Sequence, residues 1–365
     1  MKFDKRQTNI AKGVAMLLLL WHHVFYKSKA YYGLFDSAFR IQNIPIESYF
    51  AKYFKVCVAI FLFLSGYGIY KSWHSNRRRT LRPGQSELSV GQQARFVKNH
   101  WIKLMMDYWF VYLIFVPMGI LFNVYFWEVY KGSIRYGLMD FFGLSFFWKA
   151  PSMNPTWWFM SIIIAFYLLF PLLVKWLDKF PELFLAVALG VMLFPNVARS
   201  LYISRYFEWI PPLFLGMFFA KFDCFERLQK RLPLWWQGLA LTVPLLALTA
   251  YLRYKTGENV RFDALFAIAV ILFCYLVLSR IPLLSRALEW LGGISGAVFM
   301  FHTFVFLTYG KQYIYWFRYP PLIFAVMLAV CCLIAVGLKY LKKLIRYDRL
   351  TMLLVGGKKK KQSEK

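Results

Sequence analysis

The sequence predicts an all-α fold, a polytopic membrane bundle of about ten transmembrane helices. Three observations predict it. Apolar residues make up 60% of the chain and aromatic residues 21%, well above an ordinary soluble domain. The apolar residues gather into runs long enough to cross a hydrocarbon core of about 30 Å. The cations, 45 Lys+Arg against 17 Asp+Glu, fall between those runs, as topology determinants do. A nucleic-acid protein would carry such a charge as a patch on a soluble surface, so no nucleic-acid partner is expected.

The predicted spans are 10–27, 52–72, 101–123, 156–175, 183–198, 207–221, 234–252, 263–279, 289–310 and 321–341. With the N-terminus in the cytoplasm, 30 of the 45 Lys+Arg lie on the cytoplasmic side; the opposite orientation leaves 15. Basic residues in short inner loops set orientation, and the connection 71–103 alone holds Lys71, Arg77, Arg78, Arg79, Arg82, Arg95, Lys98 and Lys103. Both termini are therefore expected in the cytoplasm. The chain divides into one multi-pass domain, 1–355, and a basic cytoplasmic tail, 356–365, whose Lys358 to Lys361 can meet anionic membrane lipid.

The fifth and sixth spans are short and interrupted by Pro195 and by Pro211–Pro212. Segment 138–148 is apolar but too short to span, which reads as a re-entrant or interfacial piece. The first run lacks a small-x-small cleavage site and is expected to stay as an uncleaved helix. Cys57, Cys224, Cys274, Cys331 and Cys332 are odd in number and lack ligand spacing, so neither a disulfide framework nor a metal is expected.

The residues that carry chemistry start in the first run. His23 follows Lys12 by eleven positions. On a helix that is an advance of about 16.5 Å and three turns plus about 20°, so the two share one face. Lys12 also serves as the positive-inside anchor any first span needs. A histidine inside a span must find partners within the bundle, and such residues are commonly functional. His22 is turned about 100° away from His23. The pair Lys12 and His23 suits an enzyme that seats an anionic donor on one side and moves a proton inside, with His23 as the catalytic base. His302 lies inside the ninth span, where the same burial argument makes it functional or pocket-lining. Trp157 and Trp158, at the edge of the fourth span, read either as an aromatic belt or as a platform that binds a sugar ring. Ser65-Gly66 allows close helix packing. Asp107, four residues after Lys103, is placed for a local pair with it. No phosphate-loop or dinucleotide fingerprint occurs.

Several stretches resemble the membrane acyltransferase 3 family, in order. They are Lys12-Gly-Val-Ala…His23, Phe61-Leu-Phe-Leu-Ser65-Gly66-Tyr, Trp157-Trp158-Phe159…Tyr167-Leu-Leu-Phe170-Pro171, Phe214-Leu-Gly216-Met-Phe-Phe-Ala220 and Leu291-Gly-Gly-Ile-Ser295…Phe299-Met-Phe-His302. The family motif has an arginine where this chain has Lys12; a lysine keeps the charge and loses the bidentate fork. The fourth span also lacks the glutamate carried by many polysaccharide-modifying members, and an appended hydrolase-like domain is not expected. The resemblance implies acyl transfer, acetyl foremost, from cytoplasmic acyl-CoA to a hydroxyl of a cell-envelope glycan or a lipid-linked precursor. It implies a bacterial plasma membrane, with acyl-CoA as a substrate and no permanently bound cofactor. Lys12, Lys98 and Lys103 would then bind the donor's phosphates, with Trp157, Trp158 and His302 on the acceptor side. The residues leave direct transfer and a covalent acyl-enzyme both open. The alternative is a multi-pass transporter or flippase of a small solute or glycan precursor. It predicts matched broken helices in two repeated halves, and no such symmetry is evident.

Overall fold

The computed structural model describes residues 2–26, 33–81, 83–122, 124–194, 209–256 and 262–356. The elements are α1 (Lys5–Phe25), a two-residue hairpin β1 (Arg40–Ile41) and β2 (Ile44–Pro45), α2 (Ile46–Phe54), α3 (Val56–Thr80), α4 (Val90–Phe115), α5 (Phe126–Val129) and α6 (Ile134–Phe141). They continue as α7 (Trp158–Lys179), α8 (Pro181–Leu193), α9 (Ile210–Lys221), α10 (Cys224–Arg231), α11 (Trp235–Lys255), α12 (Asp263–Leu276) and α13 (Pro282–Thr303). A π-helical turn, Phe304–Thr308, extends α13, and α14 (Lys311–Tyr315), α15 (Pro320–Leu344) and α16 (Tyr347–Leu354) complete the chain. The fold is the expected all-α membrane bundle.

Seven of the described helices are long and apolar enough to cross a membrane. Predicted spans 10–27, 183–198 and 207–221 are not among them. α1 carries Asn9, Lys12, His22 and His23 in its 21 residues, which dilutes its hydropathy. α8 and α9 are apolar but only 13 and 12 residues long. Pro195, Arg82 and the lysines of the tail lie outside the described residues. Connection 71–103 is mostly helical rather than loop: α3 runs on to Thr80, and α4 starts at Val90. Ser89 and Gln92 form a reciprocal capping box at that start, a polar signal that hydropathy does not see. Pro117 ends the α-helical part of the third span, and a 3₁₀ stretch to Phe122 follows.

The chain forms two compact units, 1–80 with 172–329, and 81–171 with 330–365; the divisions fall inside α7 and α15. In the first unit, α1 is the central helix. Asp4 caps it, accepting from the amides of Arg6 and Gln7. Its partner α13 runs parallel to it: Arg6 meets Ser285 and Glu289 at one end, and His23 meets His302 at the other. The two backbones touch. A Cβ on Gly13 would stand 2.1 Å from the Leu288 carbonyl oxygen, and one on Gly292 would stand 1.8 Å from that of Asn9. α3 and α9 pack in the same way, through Gly66 on Leu213 and Gly216 on Phe63, so the close packing expected at Ser65-Gly66 is present. α3 and α12 run antiparallel to α1, as Phe3 against Tyr67 and Tyr275 shows. Two parallel helices in a bilayer need an odd number of crossings between them. α1 and α13 meet that rule whether α8 and α9 both cross or both do not.

In the second unit, α4 is the scaffold for chain 126–157. Asp140, fully buried, accepts from Tyr130 Oη at 2.5 Å, Ser145 Oγ at 3.2 Å and the Met153 amide at 2.9 Å. Tyr108 of α4 donates to the Asp140 carbonyl at 2.6 Å. A buried carboxylate needs such donors to offset its lost hydration.

Gly292 leaves no room for a side chain, whereas Gly293 faces open space. Gly292→Val should destabilise by about 1–3 kcal/mol through overpacking. Gly293→Ala should be neutral or stabilising, by up to about 1 kcal/mol. Thermal unfolding of the detergent-solubilised protein reads both; equal midpoints for the two variants would contradict the backbone contact.

Candidate active site

The site is built where α1, α2 and α13 converge. Trp21 and His22 point to α2. Trp21 Nε1 donates to the Glu47 carbonyl at 3.1 Å, and His22 Nδ1 lies 2.6 Å from the Ala51 carbonyl. These two carbonyls are one turn apart. A carbonyl only accepts, so His22 Nδ1 carries its proton. The end of α2 is satisfied from the other side by Arg253 of α11, which donates to the carbonyls of Lys52 at 2.9 Å and Tyr53 at 3.4 Å. Arg253 is itself paired with Asp263 at the start of α12, and both side chains are 1% exposed. Buried charges are stable only when paired, and this pair ties α11, α12 and α2 at one end of the unit.

His23, one residue on, faces α13 instead. Its ring lies 4.8 Å from that of His302 and 4.9 Å from that of His22. Among the described residues it makes no hydrogen bond, and it is half-buried. His302 is fully buried, with Nδ1 3.1 Å from the Val298 carbonyl and 3.0 Å from that of Phe299. Tyr315 of α14 closes this end of α1 by donating to the Val24 carbonyl at 2.7 Å. Phe35 packs edge-on against Phe25. The chain around Phe35 is held by Arg318, whose Nε and Nη2 donate to the two carboxylate oxygens of Asp36 at 2.8 and 2.7 Å.

Lys12 stands two turns into α1, half-buried, beside the Gly13–Leu288 contact. Among the described residues it has no ion-pair partner. α1 begins at Lys5, so Lys12 is inside the helix rather than at its tip, and His23 belongs to its last turn. α1 is unbroken from Lys5 to Phe25, so Lys12 and His23 keep the shared face.

The remaining predicted residues belong to the second unit. Lys98 and Lys103 are exposed on α4, about 140° apart around the helix at five residues' separation. Trp157 is 0% exposed. Tyr112 stacks on it at 5.4 Å and Tyr108 meets it edge-on at 4.8 Å, so it is a core residue and not an open platform for a sugar. Trp158, beside Phe146, is half-buried. Asp107 pairs with Lys342 of α15 at 2.5 Å, not with Lys103. Sequence reasoning missed Arg253, Asp263 and Ala51; charges placed at the facing ends of two adjacent apolar runs were the available signal for the first two.

The chain is a membrane acyltransferase. It belongs to the acyltransferase 3 family: the family described as an acyltransferase domain matches residues 7–340, nearly the whole chain. No curated protein and no solved structure matches it. The match spans residues of both units, Lys12, His23, Lys98, Lys103, Trp157, Trp158 and His302 among them, and it leaves the transport alternative without support.

The Asp36–Arg318 clamp sets a pH dependence outside the membrane-spanning segments. Hydrogen bonding from Arg318 holds the Asp36 carboxyl below its usual range. A depressed carboxyl contributes stability above the unfolded value, about 3.9, and loses it as pH falls through the folded value. The clamp should therefore hold from neutral pH down through pH 5 and open only in stronger acid. Asp36→Asn should remove that acid transition from amide hydrogen exchange at 33–39; an unchanged acid profile would show that the clamp does not order this chain.

Proposed function

We propose that this protein is a bacterial plasma-membrane O-acyltransferase with both termini in the cytoplasm. It moves an acyl group, acetyl foremost, from cytoplasmic acyl-CoA to a hydroxyl of a cell-envelope glycan or of its lipid-linked precursor. The observation that carries the reading is the α1 stripe. An ammonium and an imidazole that have, among the described residues, no ion-pair partner and no hydrogen bond lie about 16.5 Å apart on one helix face in a chain of the acyltransferase 3 family. An unneutralised, half-buried cation favours an anion, which the CoA phosphates supply. Lys98 and Lys103 add positive charge on the cytoplasmic side of the bundle. The pantetheine arm is long and thin enough to run along α1 and present its thioester near His23.

In the reaction, a ring nitrogen of neutral His23 takes the proton of the acceptor hydroxyl as its oxygen attacks the thioester carbonyl. The C–O bond forms, and the tetrahedral oxyanion collapses with loss of the C–S bond. The departing CoA thiolate takes the proton from His23, which restores the free imidazole. General base catalysis of this kind suits histidine near neutral pH. Trp158 and His302 are assigned to the acceptor side in this reading; Trp157, packed between Tyr108 and Tyr112, is a core residue of its own unit.

Two measurements test it. Acetyl-CoA binding to the purified protein should weaken with salt and should weaken far more in Lys12→Glu than in Lys12→Arg. Equal binding by all three proteins would reduce Lys12 to a topology anchor. Transfer from labelled acetyl-CoA in isolated membranes should fall by about 10²–10⁴-fold in His23→Ala. His22→Ala, which breaks the bond to Ala51, should instead lower thermal stability by about 1–3 kcal/mol and keep most of the transfer rate. A His23 variant of full activity would sink the reading.

A further inference from the structure

The proton on His302 is placed by its surroundings. Nδ1 stands within hydrogen-bond distance of two carbonyl oxygens, those of Val298 and Phe299. Carbonyls cannot donate, so Nδ1 is the protonated nitrogen and Nε2 of the neutral ring holds a lone pair. That Nε2 is buried, and among the described residues it has no partner. A buried acceptor left unmade costs about 1–3 kcal/mol, so an acceptor kept in this state has a use. Nothing apolar can satisfy it. The rings around His302 are Phe299 at 6.2 Å, Phe306 at 6.3 Å and His23 at 4.8 Å. Only His23 among them has an N–H. Next in the chain, Thr303 Oγ1 is also buried and without a hydrogen bond among the described residues. The π-helical turn Phe304–Thr308 begins directly after it, and such turns are frequent at functional sites.

We infer that His302 is the positioning residue of His23: its Nε2 accepts a hydrogen bond from one ring N–H of His23 and so fixes which nitrogen of that ring faces the acceptor hydroxyl. The inference rests on His23 being the base. A neutral imidazole has one N–H and one lone pair. Directing the N–H to His302 leaves the lone pair free for the substrate. When His23 takes the hydroxyl proton, its second N–H is already bonded to His302, which disperses the new charge. The logic is that of a base oriented by a third group, with a backbone-locked imidazole in the place of a carboxylate. Catalytic hydrogen bonds are commonly long in a site without substrate and tighten when it binds, and rings 4.8 Å apart are close enough for that.

Two substitutions separate this role from packing. In His302→Asn the amide can still donate to the Val298 and Phe299 carbonyls, but nothing reaches the Nε2 position. In His302→Gln an amide oxygen reaches that position. We expect His302→Asn to lower kcat at least about tenfold, with the KM for acetyl-CoA and the thermal midpoint unchanged, and His302→Gln to restore most of the rate. Full activity in His302→Asn, or an active Asn variant beside a dead Gln variant, would overturn the role and leave His23 standing if His23→Ala is still inactive. Full activity in His23→Ala would instead remove the base itself. Should either His302 variant unfold, nitrogen NMR of the ¹⁵N-histidine-labelled wild-type protein decides: an unprotonated Nε2 on His302 is expected, and a protonated one overturns the inference.

Discussion

The contact on which the rest depends is backbone against backbone. α1 and α13 approach so closely that Gly13 and Gly292 each face a carbonyl of the other helix. In lipid there is little hydrophobic gain from pairing two apolar helices, so close van der Waals contact at small residues carries association. The glycines do more than permit it. They set the relative height of two parallel helices, and that height brings His23 and His302 ring to ring near their far ends. A bulkier residue at either position would separate the helices and the two imidazoles together.

The polar groups of the first unit follow from the same scarcity of water. The short helix α2 ends among apolar side chains, and its last carbonyls have no partners within the helix. His22 from α1 and Arg253 from α11 supply the donors, and Trp21 adds a bond near the start of the same helix. Arg253 in turn needs Asp263. Each of these residues is committed to structure by a bond it cannot give up. His23 is exempt, as is Lys12. The contrast between neighbours, one histidine bonded to Ala51 and the next without a hydrogen bond among the described residues, distinguishes their roles more sharply than composition can.

Much of this was legible in the chain. The 3.6-residue period places Lys12 and His23 on one face and turns His22 away, and α1 keeps that phase. Small residues in an apolar run marked the helix contact at Ser65-Gly66; its counterpart, Gly216 against Phe63, came from the structure. What the chain did not reveal depends on distant partners. Asp107 looked local to Lys103 because the two are one turn apart, yet Lys342, over 200 residues on, takes it. Trp157 looked like an edge residue because hydropathy places the span boundary there; Tyr108 and Tyr112 cover it through a fold of chain 126–157 that no periodicity encodes. Helix ends beyond the apolar stretch, as in α3 and α4, are written in caps and charges rather than in hydrophobicity. The locked tautomer of His302 comes from carbonyls on its own helix, but its closeness to His23 needs the whole unit in place.

The pairing of α1 with α13 has a consequence for how the protein is made. A ribosome adds about 5–20 residues per second, so the partner of the first helix emerges tens of seconds after it. Through that interval α1 waits in or beside the bilayer with the His23 imidazole away from His302 and the Gly13 face uncovered. Biogenesis therefore requires either a holding site in the insertion machinery or a provisional neighbour, and α2 and α3, the next helices to emerge, are placed to be that neighbour, α2 through the Ala51 carbonyl at His22 and α3 through Tyr67 at Phe3. The reactive end of the molecule is among the last parts to be assembled, and a chain that stalls before α13 is a membrane protein without an enzyme in it.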